Sequence, residues 1–196
     1  MQDIIEKNFK KFPPNSNENL QSFIDNCMQD IIDKEKLYTE YQARAAKTGE
    51  MFELAFSYLM KEGFDINLIR DIPLPKACMV GGGELDFGLK KDEKLVCGME
   101  TKGSARKIKH PNGNEQKLSR PALLRTDTVK KAISNAYQFK RVYSKLPFFL
   151  VTNVIPEKGN AKCMLDLAEG DIIDKIINIT KLEQLKWLVK EIKKLI

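Results

Sequence analysis

The chain has little histidine, little tryptophan and no closely spaced cysteines. A single histidine, His110, leaves no histidine cluster for a metal and argues against a Ser-His-Asp triad or histidine-based nuclease chemistry. It lies in Lys109-His110-Pro111-Asn112-Gly113-Asn114, a polar stretch that reads as a loop. Cys27, Cys78, Cys97 and Cys163 are scattered and form no Cys-x-x-Cys pair, which argues against both zinc and a disulfide framework. They fit a reducing cytoplasm as small hydrophobes. No apolar run approaches the ~20 residues of a membrane span, so no membrane association is expected. Met1-Gln2-Asp3-Ile4-Ile5-Glu6-Lys7 lacks the basic start and apolar stretch of a secretory signal. Gly81-Gly82-Gly83 is not followed by Gly-Lys-Ser/Thr, so it reads as a flexible lead-in to a strand and not as a phosphate cradle. There is no internal repeat. The lone Trp187 is expected in packing or at a dimer surface.

What is present is an ordinary core and an uneven charge. At 196 residues, 42% hydrophobic and 31% charged, the composition is that of one soluble globular domain. The net charge of +6 divides unequally: residues 101–145 hold 12 Lys and Arg against only Glu115 and Asp127, so the remaining chain is net acidic. A basic block on an acidic protein is an electrostatic footprint for a polyanion.

The basic block begins at a chemically suggestive hairpin. Gly83 to Leu89 and Leu95 to Lys102 read as two strands joined by the polar turn Lys90-Lys91-Asp92-Glu93-Lys94. Side chains alternate along a strand, so Glu100 and Lys102 share a face. Leu85, Phe87 and Leu89 are expected on one face of the first strand, with Glu84 and Asp86 on the other. Two carboxylates and an ammonium then meet at a sheet rim. Hard oxygen ligands suit Mg²⁺.

Around the hairpin, helical spacing predicts helices over about 19–40 and 41–61. Gly49 in the second implies either a start near Thr48 or close packing at that point. Residues 65–79 are mixed and broken by Pro73 and Pro75. Residues 104–126 read as a long polar loop, of the kind that is usually functional or disordered. Thr126-Asp127 caps a helix to about Tyr143, with Val129, Ala132, Ile133, Ala136 and Phe139 as its buried stripe. Phe148 to Val151 reads as a strand buried on both faces. Residues 153–170 read as a loop, 172–179 as strand or helix, and 182–196 as a final helix.

Asp86 with Glu100-Thr101-Lys102 resembles the active-site pattern of the PD-(D/E)XK nuclease superfamily, which holds most type II restriction endonucleases; Leu85 stands where the family usually has Pro. Arg44 to Glu53 is similar to the Arg-, Gly- and Glu-bearing helix that precedes the active site in restriction endonucleases. Leu118-Ser119-Arg120-Pro121 through Lys130 looks like the segment leading into their post-catalytic helix. The resemblance covers about residues 44–179. It implies an α/β, restriction-endonuclease-like core, a central mixed β-sheet flanked by α-helices, within a single nuclease domain. Residues 1–40 would be an N-terminal helical extension and 180–196 a C-terminal helix.

The activity implied is Mg²⁺-dependent hydrolysis of double-stranded DNA at a short specific sequence, by a cytoplasmic homodimer. Asp86 would be the bridging metal ligand, Glu100 the second carboxylate and the Thr101 carbonyl a third oxygen. Lys102 would steer the attacking water or stabilise the phosphate; neighbouring carboxylates raise an ammonium pKa, which favours positioning over proton abstraction. Glu53 resembles the family's accessory glutamate, with Glu84 and Glu50 as further carboxylates. DNA contacts would come from Arg44, Ser104, Arg106, Lys107, Lys109, Arg120 and Arg125, and from Lys130, Lys131 and Arg141 on a helix surface. The same fold class holds junction resolvases, repair nucleases and nicking subunits. A non-catalytic nucleic-acid-binding module is the reading from another class, and it would have no need of the paired carboxylates.

Overall fold

A computed structural model describes residues 1–79 and 83–196, so Gly81 and Gly82 of the glycine triplet lie outside the described residues. Among the described residues six α-helices flank two sheets. The helices are α1 (Gln2–Lys11), α2 (Asn17–Glu35), α3 (Tyr41–Phe64), α4 (Thr126–Val142), α5 (Gly159–Ala168) and α6 (Leu182–Lys193). The strands are β1 (Ile69–Ile72), β2 (Leu85–Lys91), β3 (Lys94–Lys102), β4 (Lys107–Lys109), β5 (Glu115–Lys117), β6 (Phe148–Thr152) and β7 (Lys175–Asn178). The main sheet has the order β1-β2-β3-β6-β7. Pairing is antiparallel from β1 to β3 and parallel from β3 through β7. This is the mixed, helix-flanked α/β sheet expected from the sequence.

The hairpin forms where its turn chemistry allows. Asp92 and Glu93 connect β2 to β3 with φ of 49° and 61°. Two successive left-handed residues match the twist of paired strands, as in the favoured two-residue hairpin turns. β6 is wholly buried, as its apolar run requires in an inner strand of a sheet covered on both faces.

Two apolar clusters hold the layers. On one side α1, α2, α3 and α6 pack with Phe87, Leu89, Cys97 and Met99. The stripe Leu20, Phe23, Ile24, Cys27, Met28, Ile31 and Ile32 on α2 is entirely buried there. Each such side chain contributes roughly 1.5–3 kcal/mol by leaving water. The first 40 residues and the last helix are therefore half of one core and not appendages to it. On the other side α4 and α5 pack with Leu85, Phe148, Leu150 and Ile173. Gly98 lets α4 approach β3, since a Cβ there would meet the Phe139 ring at 2.7 Å.

Several elements differ from the sequence reading. Residues 104–126 are not a continuous loop: they contain the β4–β5 hairpin and a 3₁₀ turn at Ala122–Leu124. Ile108 is fully buried, and Gln29 of α2 bonds both the N–H and the carbonyl of Lys109, so a short polar hairpin gains the anchor that its composition hides. Residues 159–168 form α5, not loop, with Ala161, Leu165 and Ala168 as a narrow buried stripe. β1 emerges from the proline-broken segment as an edge strand. The ambiguous 172–179 segment contributes β7. α3 runs unbroken through Gly49, whose nearest neighbour to an added Cβ is the Gly103 carbonyl oxygen at 4.0 Å, an ordinary contact.

Candidate active site

The site is built where β2 parts from β3. The ladder runs back from the turn to Phe87↔Met99 and stops. The next residue, Asp86, turns its carboxylate to the neighbouring strand: Thr101 donates its backbone N–H (2.7 Å) and its hydroxyl (2.8 Å) to Asp86 Oδ2. A strand N–H left without a partner in a buried place costs about 1–3 kcal/mol, and the side chain removes that cost. The expected alternation of Leu85, Phe87 and Leu89 is broken here. Leu85 packs on the α4 side, whereas Phe87 and Leu89 pack on the α3 side.

Glu100 and Lys102 share a face as alternation requires, and they form an ion pair through Glu100 Oε1. The Lys102 ammonium also donates to the Thr101 carbonyl at 3.0 Å and lies 3.8 Å from Asp86 Oδ2. Asp86, Glu100 and the Thr101 carbonyl, the three groups expected to take a cation, thus surround one ammonium. Glu100 is 2% exposed, its Oε1 accepts from Asn135 Nδ2 of α4 at 2.9 Å, and its Oε2 is buried without a partner.

Burial raises the Glu100 pKa above the ordinary carboxylate range, with Asp86 adding to the effect and Lys102 opposing it. At Lys102 burial opposes the charged form, but Glu100, Asp86 and Glu53 outweigh it and carry the pKa above the usual lysine value. Glu53 reaches the same cluster from α3. Burial, and then the Asp86 charge, push its pKa up to about 7. Arg70 of β1 partly offsets this through an ion pair at 2.9 Å.

The strand exit is fixed from the sheet's other half. Lys102 pairs with Thr152 of β6, whose hydroxyl donates to the Lys102 carbonyl at 2.6 Å. Asn153, itself buried, bonds both the N–H and the carbonyl of Ser104. Ser104 Oγ accepts from the Ala122 N–H, which holds the 3₁₀ turn against the site.

A cleft of about 720 Å³ opens from this cluster. Glu53, Thr101, Lys102 and Ser104 line one end, and Gln116, Lys117, Arg120, Arg125 and Asp127 line its other walls. Asp86 and Glu100 lie behind Thr101 and Lys102 and, like Glu84, do not line the cleft; Glu50 is exposed and paired with Lys47.

The sequence-predicted DNA contacts divide. Arg120 and Arg125 face the cleft, with Arg125 held by Asp127 and by the Tyr41 hydroxyl. Arg44 also borders it, but is 7% exposed and donates to the Leu37 and Tyr38 carbonyls, stapling the α2–α3 turn. Arg106 is tied to Asp25 and Lys107 to Glu115. Lys109, Lys130, Lys131 and Arg141 are exposed outside the cleft lining. Asn135 escaped the sequence reading. Its signal was an amide on the same helical face as Ala132, Ala136 and Phe139, inside an apolar stripe.

Among the described residues, no three His, Cys, Asp or Glu side chains gather around one point as a metal cage. The donors present are two carboxylates and a backbone carbonyl, one carboxylate oxygen being buried without a partner. This set fits Mg²⁺, which takes one or two protein carboxylates and keeps several waters. Among the described residues no helix is long and apolar enough to cross a membrane. No protein-family model matches the chain, and no curated protein shows significant similarity to it.

Proposed function

We propose that this chain is a Mg²⁺-dependent deoxyribonuclease of the PD-(D/E)XK type, acting as a type II restriction endonuclease on double-stranded DNA. The observation that carries the reading is the meeting of Asp86, Glu100 and Lys102, with Lys102 lining one end of an open cleft and Glu100 Oε2 buried and unpartnered behind it. Asp86 and Glu100, with the Thr101 carbonyl, would hold the ion. Bound there, it would supply Lewis-acid stabilisation of the phosphate and a template for the attacking water.

The chain's own residues do the rest. Lys102 is fully protonated at neutral pH, so it positions water and balances phosphate charge and does not abstract a proton. Glu53, with a pKa of about 7, exchanges protons with cleft water near neutrality. Arg120 and Arg125 stand where a bound duplex passes the cluster, while Lys130, Lys131 and Arg141 offer phosphate contacts beyond it. The enzyme works as a homodimer, so that both strands are cut, and in the cytoplasm, where its four free cysteines stay reduced.

Plasmid DNA incubated with and without Mg²⁺ tests the reading. Discrete bands in Mg²⁺, lost in Asp86→Ala and Lys102→Ala, are expected. A smear points to repair or degradation. Binding without any cutting would return the chain to the class of non-catalytic nucleic-acid binders.

A further inference from the structure

Glu100 carries an asymmetry that ion pairing alone does not explain. Its Oε1 takes two donors, the Lys102 ammonium and the Asn135 amide, while Oε2 takes none despite complete burial. A buried carboxylate oxygen without a partner is costly and calls for an explanation. Asn135 stands on α4, on the opposite face of the sheet from α3 and Glu53, and reaches Glu100 because Gly98 lets α4 lie close to β3.

We infer that Asn135 is a positioning residue for the cation site: it fixes the Glu100 carboxylate by one oxygen and thereby aims the other at a divalent ion. The inference rests on the nuclease reading, and it concerns the ion's seat and not the cleavage step. Asparagine suits the task because its amide donates without charge. Lysine or arginine at 135 would also hold the carboxylate but would repel a cation, and aspartate could not donate. Groups that orient metal ligands in this way commonly contribute 10- to 100-fold to metal affinity or activity.

A merely structural role for Asn135 makes the opposite forecast. Alanine is a better helix former than asparagine, which offsets part of the one hydrogen bond lost to Glu100, so Asn135→Ala should lose little stability. Mn²⁺ binding without DNA, read by electron paramagnetic resonance, is therefore paired with thermal melts of the metal-free protein. Asn135→Ala is expected to weaken Mn²⁺ binding about tenfold or more while the melting midpoint falls by no more than a few degrees. Asn135→Gln, which keeps a donor, should recover part of the loss. Unchanged Mn²⁺ affinity in Asn135→Ala would overturn the positioning role while leaving the nuclease reading intact. Weak binding in both variants together with a midpoint lowered further than that would also overturn it, in favour of a packing role. A wild-type protein that binds no Mn²⁺ would overturn both. Mn²⁺ binding that depends on Asn135, in a protein that cuts no DNA, would sustain this inference and sink the nuclease.

Discussion

Gly103→Ala gives a stringent test of how the site is held, because it adds one methyl group directly after Lys102. The new Cβ would fall 2.0 Å from Phe52 Cγ and 2.4 Å from both Cδ atoms. Carbon atoms at rest stand about 3.5–4 Å apart, so the two groups must separate by roughly 1.5 Å. Phe52 is 1% exposed and set among Met51, Ala55 and Phe56 on α3, so its ring has no free space to enter. The strand exit is held by Thr152 and Asn153 on the other side. Overpacking of this kind costs about 1–3 kcal/mol, and an overlap this deep belongs at the upper end, about 2–3 kcal/mol. For a chain of this length that lowers the thermal midpoint by roughly 5–10 °C, at 2–4 °C per kcal/mol. Urea denaturation supplies the free energy and a thermal melt the midpoint. Phe52→Ala alone should cost about 3–5 kcal/mol, but in that background the added methyl finds room, so Gly103→Ala should cost under about 0.5 kcal/mol. A double-mutant cycle reads that coupling directly. If Gly103→Ala is neutral in the wild type, or if the two penalties simply add, the close approach of β3 to α3 is wrong.

Other perturbations follow from the same geometry. Gly49→Ala, with nothing nearer than 4.0 Å to the added Cβ, should stabilise the helix by up to about 1 kcal/mol in the same urea assay. Glu53 has a folded pKa of about 7, above its value of 4.5 as a free side chain, so the folded state binds the extra proton between those limits. Stability from this group is full below about pH 4.5 and falls as pH rises to 7; Glu53→Gln should flatten that decline in denaturation midpoints measured across the window. An unchanged slope would remove Glu53 from the cluster. Replacing Lys130 or Lys131 by Ala should lower the slope of log affinity against log salt by roughly one unit per lost phosphate contact, without altering sequence preference. Cys78 and Cys163 are exposed and should alkylate in the native protein. Cys27 and Cys97 should not, since burial raises both thiols and carries Cys97 to about 12.

The hairpin of the candidate site was legible because its information is local. Alternation placed Glu100 with Lys102, and the polar turn fixed the hairpin's bend. The buried β6 announced itself by an unbroken apolar run, and α2 by seven apolar residues at helical spacing. The failures share a different cause. The break at Asp86 depends on a side chain replacing a ladder bond across to Thr101, which no pattern within β2 records. β4 is ordered by Gln29, 80 residues distant, and a strand of Lys-Ile-Lys reads as polar loop until that partner is known. α5 hides behind a narrow stripe of Ala161, Leu165 and Ala168. Asn135 lay in plain view on an apolar face, but its meaning required the sheet beneath it. Arg44 shows the converse: a cation in a suggestive motif whose donors serve the backbone of its own fold.

The ammonium of Lys102 sits among the very oxygens that would receive a metal. The chain thus carries its own tethered counter-ion, delivered on a flexible arm from the adjacent residue of the strand. Two carboxylates crowded at a sheet rim would otherwise repel each other and strain the fold in the absence of a divalent ion. The lysine seated between them balances that charge without a divalent ion. Chelation should leave its melting midpoint close to that of the untreated protein, in contrast to domains whose folding free energy is largely metal binding.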